Sequence, residues 1–155
     1  MTSLNRRAID EQQRRFVPAV QAPNNRRGRD KAATSPRVLI VEDEFFVALD
    51  LETTLQGAGF EVVGVANNAV DAVRLAEAHM PSVIVMDVRL AGDRDGVDAA
   101  IEIFERFGIR CIFASAHHDA GTKARASRAN AAGWLAKPYS SQSLLAAVQA
   151  ATKPK

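Results

Sequence analysis

A doubly wound α/β domain built on a five-stranded parallel sheet is the fold class that this sequence predicts. Three observations carry the prediction. Four short apolar segments, Val38–Val41, Val83–Met86, Cys111–Ala114 and Trp134–Ala136, show no polar alternation, as strands buried on both faces do. Each runs directly into polar residues: Glu42 and Asp43, Asp87, Ser115, and Lys137 before Pro138. Helix-sized intervals separate them, giving the strand–helix–strand repeat of a sheet covered on both sides. In an open parallel sheet the C-terminal strand ends share one crevice, so three carboxylates, a hydroxyl and an ammonium are expected to meet there.

The elements follow in order. The first strand is Val38–Glu42, and a helix from about Phe45 to Gln56 carries Ala48, Leu51 and Leu55 on one stripe. Gly57 and Gly59 stop it. Phe45 and Phe46 cannot both face a core that already takes Ala48 and Leu51, so one of them is expected at the mouth of the crevice. Glu61–Val65 forms the second strand. Asn68 caps a helix carrying Val70, Val73, Leu75 and Ala76, and Pro81 precedes the third strand, Ser82–Asp87. A helix from about Val97 to Phe107, a strand at Arg110–Ala114, a weak helix from about Ala120 to Ala131, a strand ending at Ala136 and a helix from Ser141 complete five units. The weak helix offers Ala120, Ala124, Ser127 and Ala131 as its inward stripe. Such side chains bury little area at about 25 cal/mol per Å², so this helix should be loosely held. The last helix has no charge between Lys137 and Lys153, leaving Ala146, Ala147, Gln149 and Ala150 as a bland outer face suited to a partner or a second copy.

Composition bounds the function class. A chain of 155 residues, 47% hydrophobic and 25% charged, is ordinary for one globular domain with a sizeable core. No apolar run approaches the roughly 18 residues of a membrane span. Cys111 is the single cysteine and falls in a buried strand, where it acts as filler and asks for no oxidising compartment. Residues 1–35 carry eight Lys or Arg against three acids, while residues 36–155 carry twelve against fifteen. The sequence pI near 9.0 therefore belongs to a basic, aperiodic extension, read as flexible, preceding a domain at 36–155. His117 and His118 lack the spacing of a helical metal pair and are placed in a loop.

The chemistry follows from charge. Glu42, Asp43 and Asp87 brought together repel one another unless a cation relieves them. Magnesium suits a site of a few carboxylate oxygens plus phosphate oxygen. With the repulsion relieved, Asp87 can act as a nucleophile toward phosphorus, Lys137 can pair with phosphoryl oxygens, and the Ser115 hydroxyl can donate to one of them.

The acidic pair Glu42–Asp43, Asp87, Ser115, Trp134 and the Lys137–Pro138 dipeptide, in this order and spacing, resemble the receiver domain of two-component response regulators over about Arg37 to Ala151. The resemblance implies a flavodoxin-like (βα)5 receiver fold with Asp87 as phosphoacceptor. It implies Mg2+ held by Glu42, Asp43, Asp87 and the main-chain carbonyl of Arg89, with Ser115 and Lys137 binding the phosphoryl group. Ser115 and Trp134 would form the switch and His117 would lie on the rim, where Phe45 and Arg89 are also expected from their positions beside the strand ends. It further implies a cytoplasmic signalling protein, with no enzymatic activity beyond Mg-dependent self-phosphorylation and autodephosphorylation. A histidine kinase or histidine phosphotransfer protein would be the donor, and the fourth-helix to fifth-helix face would contact a downstream protein or form a homodimer. Nothing beyond Thr152–Lys155 follows the last helix, so no DNA-binding output domain is expected. Two features depart from the family pattern: Trp134 stands where Tyr or Phe is usual, and the loop Val88–Gly96 is about one residue longer, with Ala91 where proline is common. A haloacid dehalogenase-type phosphohydrolase would need a second Asp where Arg89 stands. A phosphorylation-independent binding module would not need Asp43, Asp87 and Lys137 intact.

Overall fold

The computed structural model describes residues 34–117 and 119–154; the basic extension up to residue 33 lies outside the described residues. Five strands, β1 (Arg37–Val41), β2 (Glu61–Ala66), β3 (Val83–Asp87), β4 (Cys111–Ser115) and β5 (Gly133–Ala136), form one parallel sheet in the order β2-β1-β3-β4-β5. The helices are α1 (Phe45–Gly57), α2 (Ala69–His79), α3 (Gly96–Phe107), α4 (Ala120–Ala126), which tightens into a 3-10 turn at Ser127–Ala129, and α5 (Ser141–Thr152). This is the predicted flavodoxin-like arrangement. The chain leaves β1 toward one edge and returns at β3 toward the other, so the crevice opens between the ends of β1 and β3.

Alternation along the strands divides the core. Leu39, Val41, Ile84, Met86 and Phe113 face α2, α3 and α4. Val38, Ile40, Val85, Ile112 and Ala114 face α1 and α5, whose Leu51, Leu55, Leu144 and Val148 close that side. Among the described residues no helix is long and apolar enough to cross a membrane. Cys111 is buried, which pushes its thiol up to about 12.

Short polar side chains start the helices. Asn68 accepts from the Asp71 amide at 2.8 Å, Asp119 from Thr122 at 2.7 Å and Ser140 from Ser143 at 3.0 Å. Asp95 and Asp98 form a reciprocal box at the start of α3, each carboxylate accepting the other's amide, at 2.9 and 3.2 Å.

Three expected helix faces are corrected. In α4, Ala120, Ala124 and Ser127 are exposed and Ala131 lies beyond the 3-10 turn; Ala126 and Ala129 are the buried pair, with Thr122 half-buried. The Asp119 cap fixes where the helix begins and hence its phase, which a run of Ala, Ser and Gly does not reveal. Asn130 at φ 48 then ends the turn. On α2, Val70 is exposed, because Ala69, Ala72, Val73 and Ala76 fill the inward face. On α5, Ala147 is half-buried beside Leu144 and Val148, whereas Ala146, Gln149 and Ala150 are exposed.

Gly96 opens α3 with no room for a side chain: a Cβ there would run into the main-chain carbonyl of Asp87. Its amide donates to the Val88 carbonyl at 2.8 Å. Gly57, in the last turn of α1, has no such neighbour within 4 Å. Gly96→Ala is therefore expected to lower stability by about 1–3 kcal/mol in urea denaturation, with Gly57→Ala neutral or stabilising by up to about 1 kcal/mol. Equal effects would mean that α3 is not seated against Asp87.

Candidate functional site

Four strand ends deliver the site. Glu42 follows β1 with its amide donating to the Ala66 carbonyl at 2.9 Å, and one carboxylate oxygen accepts the Glu44 amide at 3.1 Å. Asp87 ends β3, with Oδ1 accepting the Arg89 amide at 3.2 Å. Both carboxyls are buried, at 3% and 8% exposure, against a hydrophobic sheet that offers them little solvation. Lys137 follows β5, where its amide donates to the Ser115 carbonyl at 2.9 Å, and the Lys137–Pro138 peptide is cis. Its Nζ lies 3.3 Å from Glu42 Oε2 and 3.2 Å from Asp87 Oδ2. One ammonium thus bridges two buried carboxylates.

The exposed Asp43 completes the group. One oxygen from each of Glu42, Asp43 and Asp87 lies within 4.8 Å of the others. This all-oxygen donor set fits a hard divalent cation such as magnesium. Burial pushes Glu42 up to about 7, with Asp87 adding to the rise while the Glu44 amide and Lys137 oppose it. For Lys137, burial acts to lower the pKa, but the charges of Asp87 and Glu42 outweigh it and hold the ammonium above its ordinary value.

The remaining expected residues surround this centre. Ser115 ends β4, nearly buried, but its hydroxyl is turned into its own loop, donating to the His117 carbonyl at 2.7 Å and accepting the His117 amide at 3.1 Å. His117 and Arg89 are exposed beside the strand ends. Trp134 lies on the α4 side of the sheet, stacked on Phe113 with ring centroids 4.8 Å apart, and Lys123 Nζ sits 5.8 Å from its ring centre. The long loop after β3 is tied at both ends, by Val88 donating to the Ala114 carbonyl at 3.2 Å and by Gly96 donating to Val88. Gly92 takes its turn at φ +101, where glycine is unstrained.

Sequence reasoning missed part of the rim. Phe45 and Phe46 are both exposed, in an edge-on contact at 5.4 Å. It is Phe46 that lines a groove with Glu44, Val47, Lys137, Pro138 and Tyr139. The signal was present in α1, since Phe46 and Asp50 are four residues apart and lie beside the stripe formed by Ala48, Leu51 and Leu55. Tyr139 gave no such signal: it follows the cis peptide, and burial raises its hydroxyl pKa.

Comparison with known proteins fits this geometry. The family model for the response regulator receiver domain matches residues 38–149. The transcriptional regulatory protein PdtaR of Mycobacterium tuberculosis is 39% identical over 120 residues, covering 77% of this chain and 58% of PdtaR. The phyllosphere-induced regulator PhyR of Methylorubrum extorquens is 33% identical over 126 residues, covering 80% of this chain and 46% of PhyR. The chain therefore spans about half the length of these two relatives. The chemotaxis protein CheY of Bacillus subtilis is 32% identical over 113 residues, covering 72% of this chain and 93% of CheY. The signal receiver domain of a modulated diguanylate cyclase from Desulfovibrio desulfuricans superposes with a TM-score of 0.71 at 36% identity, covering 76% of this chain and 94% of that one. A match running from the first strand to the last helix, with relatives of this identity, makes the chain a member of the response regulator receiver domain family of two-component signalling.

Proposed function

We propose that Asp87 accepts a phosphoryl group from a phosphohistidine donor and that the domain passes the signal on by protein contact. The observation that supports this most is the Lys137 ammonium between the buried carboxylates of Glu42 and Asp87, with Asp43 closing the oxygen cluster. In the transfer, an Asp87 carboxylate oxygen attacks phosphorus, and the P–N bond breaks with its electron pair leaving on the imidazole nitrogen. Glu42, Asp43, Asp87 and the Arg89 carbonyl would hold magnesium. When bound, the cation neutralises charge on the carboxylates and on the phosphoryl oxygens. Lys137, held protonated, transfers its pairing from the carboxylates to a phosphoryl oxygen, and positioning plus charge neutralisation are most of what such a transfer needs.

Ser115 then exchanges its bond to the His117 carbonyl for one to the phosphoryl group. Trp134, adjoining β4 through Phe113, responds to that movement. Output runs through the α4 to α5 face to a downstream protein or a second copy. Phosphodonor docking falls to the rim, where Phe45, Phe46, Arg89 and His117 are exposed. The receiver unit is residues 36–155, residues 1–35 are its basic extension, and the working compartment is the cytoplasm.

Incubating the chain with acetyl phosphate and magnesium is expected to add one phosphoryl group by intact mass, none in Asp87→Ala, and little in Asp43→Ala, which loses a metal carboxylate. Labelling of Asp87→Ala would move the acceptor elsewhere.

Magnesium with beryllofluoride is expected to change Trp134 fluorescence. Asp87→Ala should abolish the change and Ser115→Ala should diminish it while the ligand still binds. An unchanged wild-type spectrum at saturation would make Trp134 a fixed packing residue.

Glu42 sets a pH dependence. Its carboxyl stays protonated in the folded chain up to about 7, against an ordinary value of 4.5, so the folded state binds more protons than the unfolded state across that window. In EDTA, stability should therefore fall as pH rises through it, and Glu42→Gln should flatten the slope of urea midpoint against pH. Parallel wild-type and variant curves would refute the buried-carboxyl account.

A further inference from the structure

The helix that carries the output is held unevenly. On the sheet face shared by α2, α3 and α4, α3 is anchored by Val97, Ala99, Ala100 and Ile103, all fully buried, and its first residue Gly96 abuts the Asp87 carbonyl. By contrast, α4 and its 3-10 turn bury only Ala126 and Ala129 completely. Polar contacts supply the rest. Arg125 on α4 reaches the capping box at the start of α3, with NH1 3.0 Å from Asp95 Oδ2 and NH2 3.0 Å from both Asp95 Oδ1 and Asp98 Oδ1. This is a two-pronged guanidinium–carboxylate fork with a third acceptor, a geometry that fixes orientation as well as distance. Arg128 extends the seam to Glu105 at 2.8 Å. Asp95 is held below the ordinary carboxylate range: burial acts to raise it, and Arg125 together with the Asp98 and Val97 amides outweighs that effect.

We propose that Arg125 is a latch holding α4 in its resting position against the phosphoacceptor loop, released when the domain switches. The inference rests on the reading of Asp87 as phosphoacceptor. The residues place the latch at a junction. Asp95 and Asp98 flank Gly96, whose amide is bonded to the Val88 carbonyl and which packs against the Asp87 carbonyl, so a change of charge at Asp87 reaches Arg125 through one short piece of chain. This route is separate from the one through Ser115 and Trp134. A contact made only in the resting state raises the free energy needed to leave it, so removing it shifts the balance toward the switched state.

The test uses the full chain, with magnesium beryllofluoride binding measured by calorimetry and backbone hydrogen exchange followed over α4. Arg125→Gln is expected to bind beryllofluoride about threefold to fivefold more tightly than wild type at low salt, with faster exchange over residues 123–126 before ligand is added. Asp95→Asn, which keeps a good cap but removes the charge, should act in the same direction, and Arg125→Lys should fall between wild type and Arg125→Gln. Raising salt from about 0.05 M to about 0.5 M should narrow the gap, because the pair is partly exposed and is screened. Unchanged affinity in both Arg125→Gln and Asp95→Asn would overturn the latch even if α4 exchange rises, since the pair would then only staple a surface helix. The underlying reading is judged separately: if wild type binds no beryllofluoride, or Asp87→Ala binds it equally, that reading fails and the latch falls with it.

Discussion

Crowding of negative charge at one edge of the sheet is the constraint on which the rest of the molecule depends. The strands deliver Glu42 and Asp87 into a setting where water reaches neither freely, and Asp43 adds a third carboxylate. Such an arrangement is tolerable only with a cation at hand, and among the described residues it is the Lys137 ammonium that lies against the two buried carboxyls. The order of strands puts Lys137 two strands from Asp87, with β4 between them. Reach therefore comes from the length of the lysine side chain, and direction from the anchoring of its amide to Ser115.

The two faces of the sheet are not equivalent partners of this edge. The α1 and α5 face is closed by Leu51, Leu55, Leu144 and Val148, large side chains that fix helix positions closely. On the other face α3 is seated as firmly, but α4 rests on alanines and on charge pairs at the surface. A change at the reactive edge meets less resistance there. Apolar packing thus holds the scaffold, while α4, the element proposed to move, is held by interactions that water and salt can compete with.

Much of this is legible in the sequence. Strands buried on both faces announce themselves as unbroken apolar runs, and the polar residue ending each run, Glu42, Asp87, Ser115 or Lys137, is where a parallel sheet gathers its chemistry. The phase of α4 was not legible: its residues are nearly all small or charged, so no periodic contrast marks the inward side. Nor was the Arg125 fork, since it joins residues 27 and 30 positions apart that only the packing of two helices brings together. Phe45 was named for the rim by position, whereas the groove is lined by Phe46, a difference of one residue on a helix and so of about 100° in direction. The direction of the Ser115 hydroxyl lay beyond sequence altogether, because a short side chain at a strand end has several partners within reach.

In the proposed switch, that hydroxyl bears on how finely the two states are balanced. In the resting arrangement it satisfies the His117 carbonyl, and its oxygen in turn satisfies the His117 amide. Drawing it toward the reactive edge strands both groups, but His117 is exposed, and solvent can take over each bond as it is given up. On the proposed reading the loop therefore gives up its bonds at little cost, and the bias comes from the charge-assisted bond to the phosphoryl group. A receiver working in the proposed way would be a poised equilibrium rather than a spring, with modest changes far from Asp87 setting the fraction of molecules in the switched state.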